Sequence, residues 1–194
     1  METLSVLKDI GLRGNGDIYL GVVGPVRVGK STFIKRFMEV LIIPHIKNED
    51  DKKRALDELP QSGIGKTIMT MEPKFVPSNA VEVLVEENLT VKVRLIDCVG
   101  YIIENAQGYL EDGKMRMVKT PWFSETIPFD DAAKIGTQKV IKEHSTLGIC
   151  VLSDGTINEF TRDDYRNSED QVIEELKSID RPFVIVLNSK TPTT

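Results

Sequence analysis

Residues 18–31 read IYLGVVGPVRVGKS, an apolar run from Ile18 to Val23 followed by the pattern GxxxxGK[ST] from Gly24 to Ser31. A short uninterrupted run of this kind is expected of a strand buried on both faces of a parallel sheet. Immediately beyond the motif, Thr32 to Leu41 places Phe33, Phe37, Met38 and Leu41 at helical spacing. Strand, glycine-bearing loop and helix in that order are the context that turns a pattern match into a phosphate site. The loop from Gly24 through Pro25, Val26, Arg27, Val28 and Gly29 to Lys30, Ser31 and Thr32 is therefore expected to wrap the phosphates of a nucleotide. Its glycines let the backbone curl so that successive N–H groups face phosphate oxygens, and the helix N-terminus adds partial positive charge. Lys30 is expected to reach the β and γ phosphates, and the Ser31 hydroxyl to bind Mg2+.

Working outward, Val81, Val83 and Val85 alternate with polar residues, Glu86-Glu87-Asn88 makes a turn, and Val91, Val93 and Leu95 alternate again, which predicts a β-hairpin. Its second strand ends in Asp97-Cys98-Val99-Gly100, a DxxG pattern whose carboxylate can hold Mg2+, directly or through water, while the Gly100 amide meets the γ-phosphate. Between loop and hairpin, GKTIMTMEP offers Thr67 and Thr70 for a switch that completes the Mg2+ shell. Thr70, nearer the hairpin, is the favoured choice. After the last apolar run, Phe183 to Leu187, comes Asn188-Ser189-Lys190-Thr191, in the place where guanine-reading proteins carry NKxD. Asn188 is retained and can touch the purine N7. Thr191 stands where the aspartate would be, and one hydroxyl cannot imitate a carboxylate that accepts two hydrogen bonds, so ATP or a relaxed purine preference is expected. Tyr101 follows Gly100 where small GTPases carry a glutamine that orients water, which predicts slow hydrolysis unless another group helps. Arg27 is one such group. Guanylate-binding proteins and atlastins, which this chain resembles only in the GxxRxGKS pattern, carry a catalytic arginine at that place, where a guanidinium neutralises charge developing on the phosphates.

Residues 1–16, ending in GLRGNG, read as an N-terminal arm, and 17–194 as one P-loop nucleotide triphosphatase domain. Pro44 ends the first helix, and 47–59 is expected to be a solvated helix with Leu56 and Leu59 on its inner face. Tyr101 to Pro128, with several glycines and prolines, reads as a long mobile excursion. Residues 131–144 predict a helix, Leu147 to Leu152 a strand, and Ser168 to Ile179 another helix. The fold expected is α/β and Ras-like, a mostly parallel sheet with one antiparallel hairpin strand and helices on both faces. Domains of that class continue with a further strand and helix, so the chain is expected to be the front part of a longer protein. At 194 residues, 40% hydrophobic and 28% charged, it has the composition of one folded domain. Thirty acidic against 25 basic residues give a net charge of −5, which speaks against nucleic acid as a partner. Cys98 and Cys150 lack CxxC spacing and are read as free thiols in a reducing cytosol. No apolar run approaches the roughly 18 residues of a transmembrane segment, and no signal peptide opens the chain, so a cytoplasmic location is expected. His45, His144 and Trp122 carry no catalytic or metal-ligand spacing and read as capping, solvated or packing residues.

The segments GDIYLGVVGPVRVGKSTFIKRFME, DELPQSGIGKTIMTMEPKFVP, RLIDCVGY, TPWF, IPF, IGTQKVIKEHSTLG, DGTI and RPFVIVLNS together resemble the N-terminal ATPase domain of the stage IV sporulation protein A family, from Asp17 onward. The resemblance implies an ATPase descended from GTPases that uses Mg2+ and ATP and polymerises on the outer forespore surface, on the mother-cell side, to form the base of the spore coat. It implies roles for the P-loop lysine, the DxxG aspartate and the switch threonine at Lys30, Asp97 and Thr70. A second threonine, frequent in the family directly after the first, is Met71 here. Self-association and contact with spore coat and forespore-surface proteins, through regions outside this chain, are the partners implied. Two rival readings stay open: a GTPase switch or ribosome-assembly factor, and an assembly protein that holds nucleotide without turning it over.

Overall fold

The computed structural model describes residues 17–60, 73–86, 89–103, 105–106, 108–111, 113–179 and 182–193. Strand β1 (Asp17–Val23) leads into the Gly24–Gly29 loop and helix α1 (Lys30–Phe37). Helix α2 (Glu49–Asp57) follows, then the long strands β2 (Lys74–Glu86) and β3 (Leu89–Asp97). Two short pairs come next, β4 (Leu110–Glu111) with β5 (Lys114–Met115) and β6 (Met117–Val118) with β7 (Ile127–Pro128). Helix α3 (Phe129–Lys139), β8 (Leu147–Ser153), α4 (Arg162–Ser178) and β9 (Phe183–Asn188) complete the order.

The central sheet runs β2-β3-β1-β8-β9, with β2 antiparallel to β3 and every other pairing parallel. This is the α/β architecture expected, including its single antiparallel strand. Side chains alternate across β1, so each face has its own core. Ile18, Leu20 and Val22 pack with Ile34 of α1, Met38 just beyond it, Ala55 of α2, and Val93 and Leu95 of β3. On the opposite face Val23, Ile96, Cys150 and Leu152 pack with Val140 and Ile141, just beyond α3, and with Val172 and Leu176 of α4. Full burial of each such aliphatic side chain contributes about 1.5–3 kcal/mol. Both cysteines are free and buried. No helix among the described residues is long and apolar enough to cross a membrane.

Several local expectations shift. Helix α1 loosens into a π turn over Met38–Ile42, which puts Ile42 in the core and leaves Leu41 51% exposed, against the regular spacing that had turned Leu41 inward. In α2 the residue on the inner face is Ala55, fully buried, with Leu59 beyond the helix packed at the core's edge; Leu56 is 48% exposed. Helix α4 begins at Arg162 rather than Ser168, because the Asp164 carboxylate accepts both the Thr161 backbone N–H (2.7 Å) and the Thr161 hydroxyl (2.7 Å) and so closes its N-terminus. Helix α3 starts at Phe129, and a π turn carries it to His144. The described part of the 101–128 excursion is not featureless: it buries Tyr101, Ile103, Ala106 and Val118 and forms the β4–β5 and β6–β7 pairs.

Candidate nucleotide site

The loops that follow β1, β3, β8 and β9 gather at the C-terminal ends of the parallel strands, beside the point where the chain passes to opposite sides of β1. The Gly24–Gly29 loop is clamped there by main chain. Val26 N–H donates to Tyr101 O (2.8 Å) and Tyr101 N–H to Gly24 O (3.3 Å), so the segment after DxxG lies directly on the loop. Two glycines permit this approach. Gly24 (φ 142°) and Gly100 (φ 90°) adopt backbone that side chains rarely take, and a Cβ would overlap Val151 O at the first and Gly24 O at the second.

Lys30, the first residue of α1, is 6% exposed, and its Nζ donates to Pro25 O (2.5 Å) and Gly24 O (3.4 Å). Burial lowers its pKa, an effect that neighbouring groups, Asp97 among them, oppose. Next in α1, the Ser31 hydroxyl donates to Asp97 Oδ2 (2.7 Å). The other Asp97 oxygen, Oδ1, is buried with no hydrogen bond of good geometry among the described residues, and burial raises the Asp97 pKa against the pull of Ser31, Lys30 and the adjoining Cys98 backbone N–H. An orphaned buried carboxylate oxygen costs about 1–3 kcal/mol or more. A cation beside the Ser31 hydroxyl would relieve that cost, so the donor set here, hydroxyl plus carboxylate, fits Mg2+ completed by phosphate and water oxygens. Thr32 follows in the first turn of α1 with its side chain exposed. Thr67 and Thr70 lie outside the described residues.

Arg27 has φ 65°, left-handed backbone that costs a non-glycine residue about 1–3 kcal/mol. Its Nη2 is buried with no hydrogen-bond partner among the described residues. The Arg27 carbonyl accepts from Asn158 Nδ2 (2.8 Å), and the Tyr165 hydroxyl lies 3.4 Å from the same oxygen. Asn158 and Tyr165 went unnoticed in the sequence, where neither belongs to a phosphate-binding pattern.

Tyr101, standing where a water-orienting glutamine would be, is 4% exposed and packs in the core with Val140 and Val172. Burial, followed by the nearby Glu175, drives the pKa of its hydroxyl up, against a smaller pull from Gln138. The side chain is committed to the core.

Asn188, the last residue of β9, donates from Nδ2 to Val28 O (3.0 Å) and so ties the end of β9 to the Gly24–Gly29 loop. The loops after β8 and β9 are latched to one another. Asp154 N–H donates to Asn188 O (3.2 Å), Lys190 N–H to Thr156 Oγ1 (3.0 Å), and Asp154 Oδ1 accepts from Thr156 N–H (2.9 Å) and Oγ1 (2.7 Å). Hydrogen bonds from Ser189 and Thr156 lower the Asp154 pKa, so it stays a carboxylate at neutral pH. Thr191, whose N–H donates to Ser189 Oγ (3.1 Å), is exposed. His45 and His144 are exposed, with His144 edge-on to Phe75, and Lys139 Nζ lies 5.8 Å from the Trp122 ring centroid, so all three sit in the surface and packing settings expected.

A family model described as the ATPase domain of stage IV sporulation protein A matches residues 1–194. Proteins named stage IV sporulation protein A are 57% identical over 192 residues in Bacillus subtilis (strain 168), 55% over 192 in Bacillus anthracis and 56% over 188 in Clostridioides difficile (strain 630). Those matches cover 97–99% of this chain and 38–39% of each relative, so the chain spans about two fifths of their length.

Proposed function

The chain belongs to the stage IV sporulation protein A ATPase-domain family, and on that premise we propose that residues 17–194 form a Mg-dependent ATPase domain whose slow turnover drives self-assembly of a spore coat basement layer. The observation that carries the reading is Asp97: a buried carboxylate, bonded to the first hydroxyl after the P-loop lysine, with its second oxygen unpartnered. Ser31 and Asp97 would hold Mg2+, with Thr70 as the third group, and the ion would supply neutralising charge on the phosphate oxygens. The amides of the Gly24–Thr32 segment and of Gly100 would bind the phosphates, and Lys30 would exchange its two carbonyl partners for β and γ oxygens. Asn188 would lie by the base, and exposed Thr191 offers no carboxylate for guanine, which favours ATP over GTP. Because Tyr101 is committed to the core, charge development is left to Arg27, the catalytic arginine in this reading.

The resemblance supports self-association, and partners among spore coat and forespore-surface proteins through regions outside this chain, with the protein in the mother-cell cytoplasm. The test is phosphate release from ATP and GTP across a Mg2+ titration, with sedimentation of the longest form of the protein in ATP, GTP and a non-hydrolysable ATP analogue. ATP turnover that needs Mg2+, and assembly that follows hydrolysis, are expected. In the same assay Lys30→Ala loses a charge-assisted contact typically worth about 1.5–3 kcal/mol, so affinity or turnover falls more than about tenfold. Equal turnover of GTP and ATP, or hydrolysis unaffected by Lys30→Ala, would overturn the reading.

A further inference from the structure

Arg27 combines two features that ordinarily exclude each other: a large charged side chain and left-handed backbone, φ 65°. An arginine left to itself relaxes to negative φ, and the rotation carries both its carbonyl and its guanidinium to new positions. Something must hold it. The holding group lies far along the chain, in the segment between β8 and α4. Asn158 Nδ2 donates to Arg27 O (2.8 Å) and lies 2.9 Å from the Tyr165 hydroxyl, which in turn lies 3.1 Å from Asn158 Oδ1. Phe160 N–H donates to Asn158 Oδ1 (3.0 Å), and that bond fixes which end of the amide is oxygen and so aims the NH2 group at Arg27. Tyr165 is fully buried on α4, its ring edge-on to Phe160 with centroids 6.2 Å apart. The platform under Arg27 is therefore part of the hydrophobic core rather than a loose surface loop. Above it, Arg27 Nη2 is buried and without a partner among the described residues, a cationic donor for which a phosphate oxygen is a fitting acceptor.

We propose that Asn158 and Tyr165 are positioning residues for hydrolysis: they lock the Arg27 backbone left-handed and thereby hold its guanidinium ready for the charge that develops on the transferred phosphoryl group. The inference rests on the reading of Arg27 as the catalytic arginine. It makes the segment after β8 part of the catalytic apparatus, although neither side chain need touch the nucleotide. Binding and turnover should separate. Ground-state affinity is shared among many loop amides and Lys30, whereas the pair touches the loop only at the Arg27 carbonyl and a mis-set guanidinium is felt only in the transition state.

The experiment is a double-mutant cycle on the full-length protein. It measures kcat and KM for Mg-ATP, affinity for a fluorescent ATP analogue, and thermal melting for Arg27→Ala, Asn158→Ala, Tyr165→Phe and the double variants with Arg27→Ala. Asn158→Ala is expected to lower kcat by about tenfold or more while analogue affinity moves less than about threefold, and to add nothing to the loss already present in Arg27→Ala. Tyr165→Phe, which removes only the hydroxyl, should give a smaller kcat loss with the same non-additivity, and it carries the test should Asn158→Ala not fold. Normal kcat in Arg27→Ala would sink the catalytic-arginine reading itself, whatever Asn158 does. An impaired Arg27→Ala beside an Asn158→Ala of normal kcat would overturn the positioning role alone. So would losses that add in the double variant, or a defect confined to nucleotide affinity, since either makes the pair a general support for the loop.

Discussion

Asp97 is pulled in opposite directions by folding and by its proposed use. Its folded pKa lies above the ordinary carboxylate value because burial disfavours the charged form. The unfolded chain therefore releases this proton first; as pH rises from the unfolded toward the folded pKa the nucleotide-free fold loses stability, and the loss is complete once pH exceeds the folded pKa. Asp97→Asn is accordingly expected to raise the melting temperature of the nucleotide-free protein at pH 7, by about 2–4 °C for each kcal/mol relieved. That gain should vanish as pH falls below the unfolded value, and added Mg2+ should stabilise the wild type but not the variant, in which hydrolysis is expected to suffer more than nucleotide binding. Melting curves that coincide at pH 7 would remove the orphaned carboxylate as the signature of a metal position. Tyr101 makes the complementary case. Its ring is packed in the core beside Val140 and Val172, so Tyr101→Phe, which keeps the ring, should change stability by no more than about 1 kcal/mol and leave ATP turnover unchanged. A fall in kcat without a fall in melting temperature would return the tyrosine to the chemistry.

Among the elements, what the sequence disclosed and what it hid separate by the range of the interactions involved. Strand β1, the phosphate loop and α1 were legible because apolar run, glycines and Lys30-Ser31 are contiguous, and the β2–β3 hairpin because Val81, Val83, Val91, Val93 and Leu95 alternate. The inner faces of α1 and α2 were not, since a π turn at the end of the first turns Ile42 rather than Leu41 inward, and in the second a small residue, Ala55, rather than the larger Leu56, meets the core. The N-terminus of α4 was within reach, because Thr161-Arg162-Asp163-Asp164 is a capping-box pattern with Asp in the third helical position. The Asn158–Arg27 bond joins residues 131 positions apart, and no local pattern announces it. The loop after β9 falls between these cases: Asn188 was expected beside the nucleotide, but the latch through Asp154, Thr156 and Lys190 depends on the neighbouring loop. That latch offers a fixed frame for changing base preference. Thr191→Asp restores a carboxylate at the exposed end of the frame, and relative affinity for GTP over ATP should rise, modestly because Ser189 still replaces the lysine of NKxD. Competition between the two nucleotides for a fluorescent analogue measures it, and an unmoved ratio would place the base elsewhere.

At the scale of the molecule, in these 194 residues taken by themselves, β9 pairs only with β8 among the described residues and shows Val184 (49%), Ile185 (51%) and Leu187 (58%) exposed. An apolar strand with an open ladder is a template for adhesion. Adhesion through this margin of the segment taken by itself would not depend on nucleotide, because none of these side chains lies in the loops after β1, β3 and β8. Ile185→Lys should leave ATP turnover per molecule unchanged while reducing pelleting in nucleotide-free buffer, and undiminished pelleting would clear the edge of that role. On the reading proposed above, whoever weighs this segment in a centrifuge would collect two kinds of sediment. One is a background that grows with concentration and is blind to whether ATP was ever cleaved. The other is the signal, and it becomes readable only after the background has been subtracted with a variant whose sticky margin carries a charge.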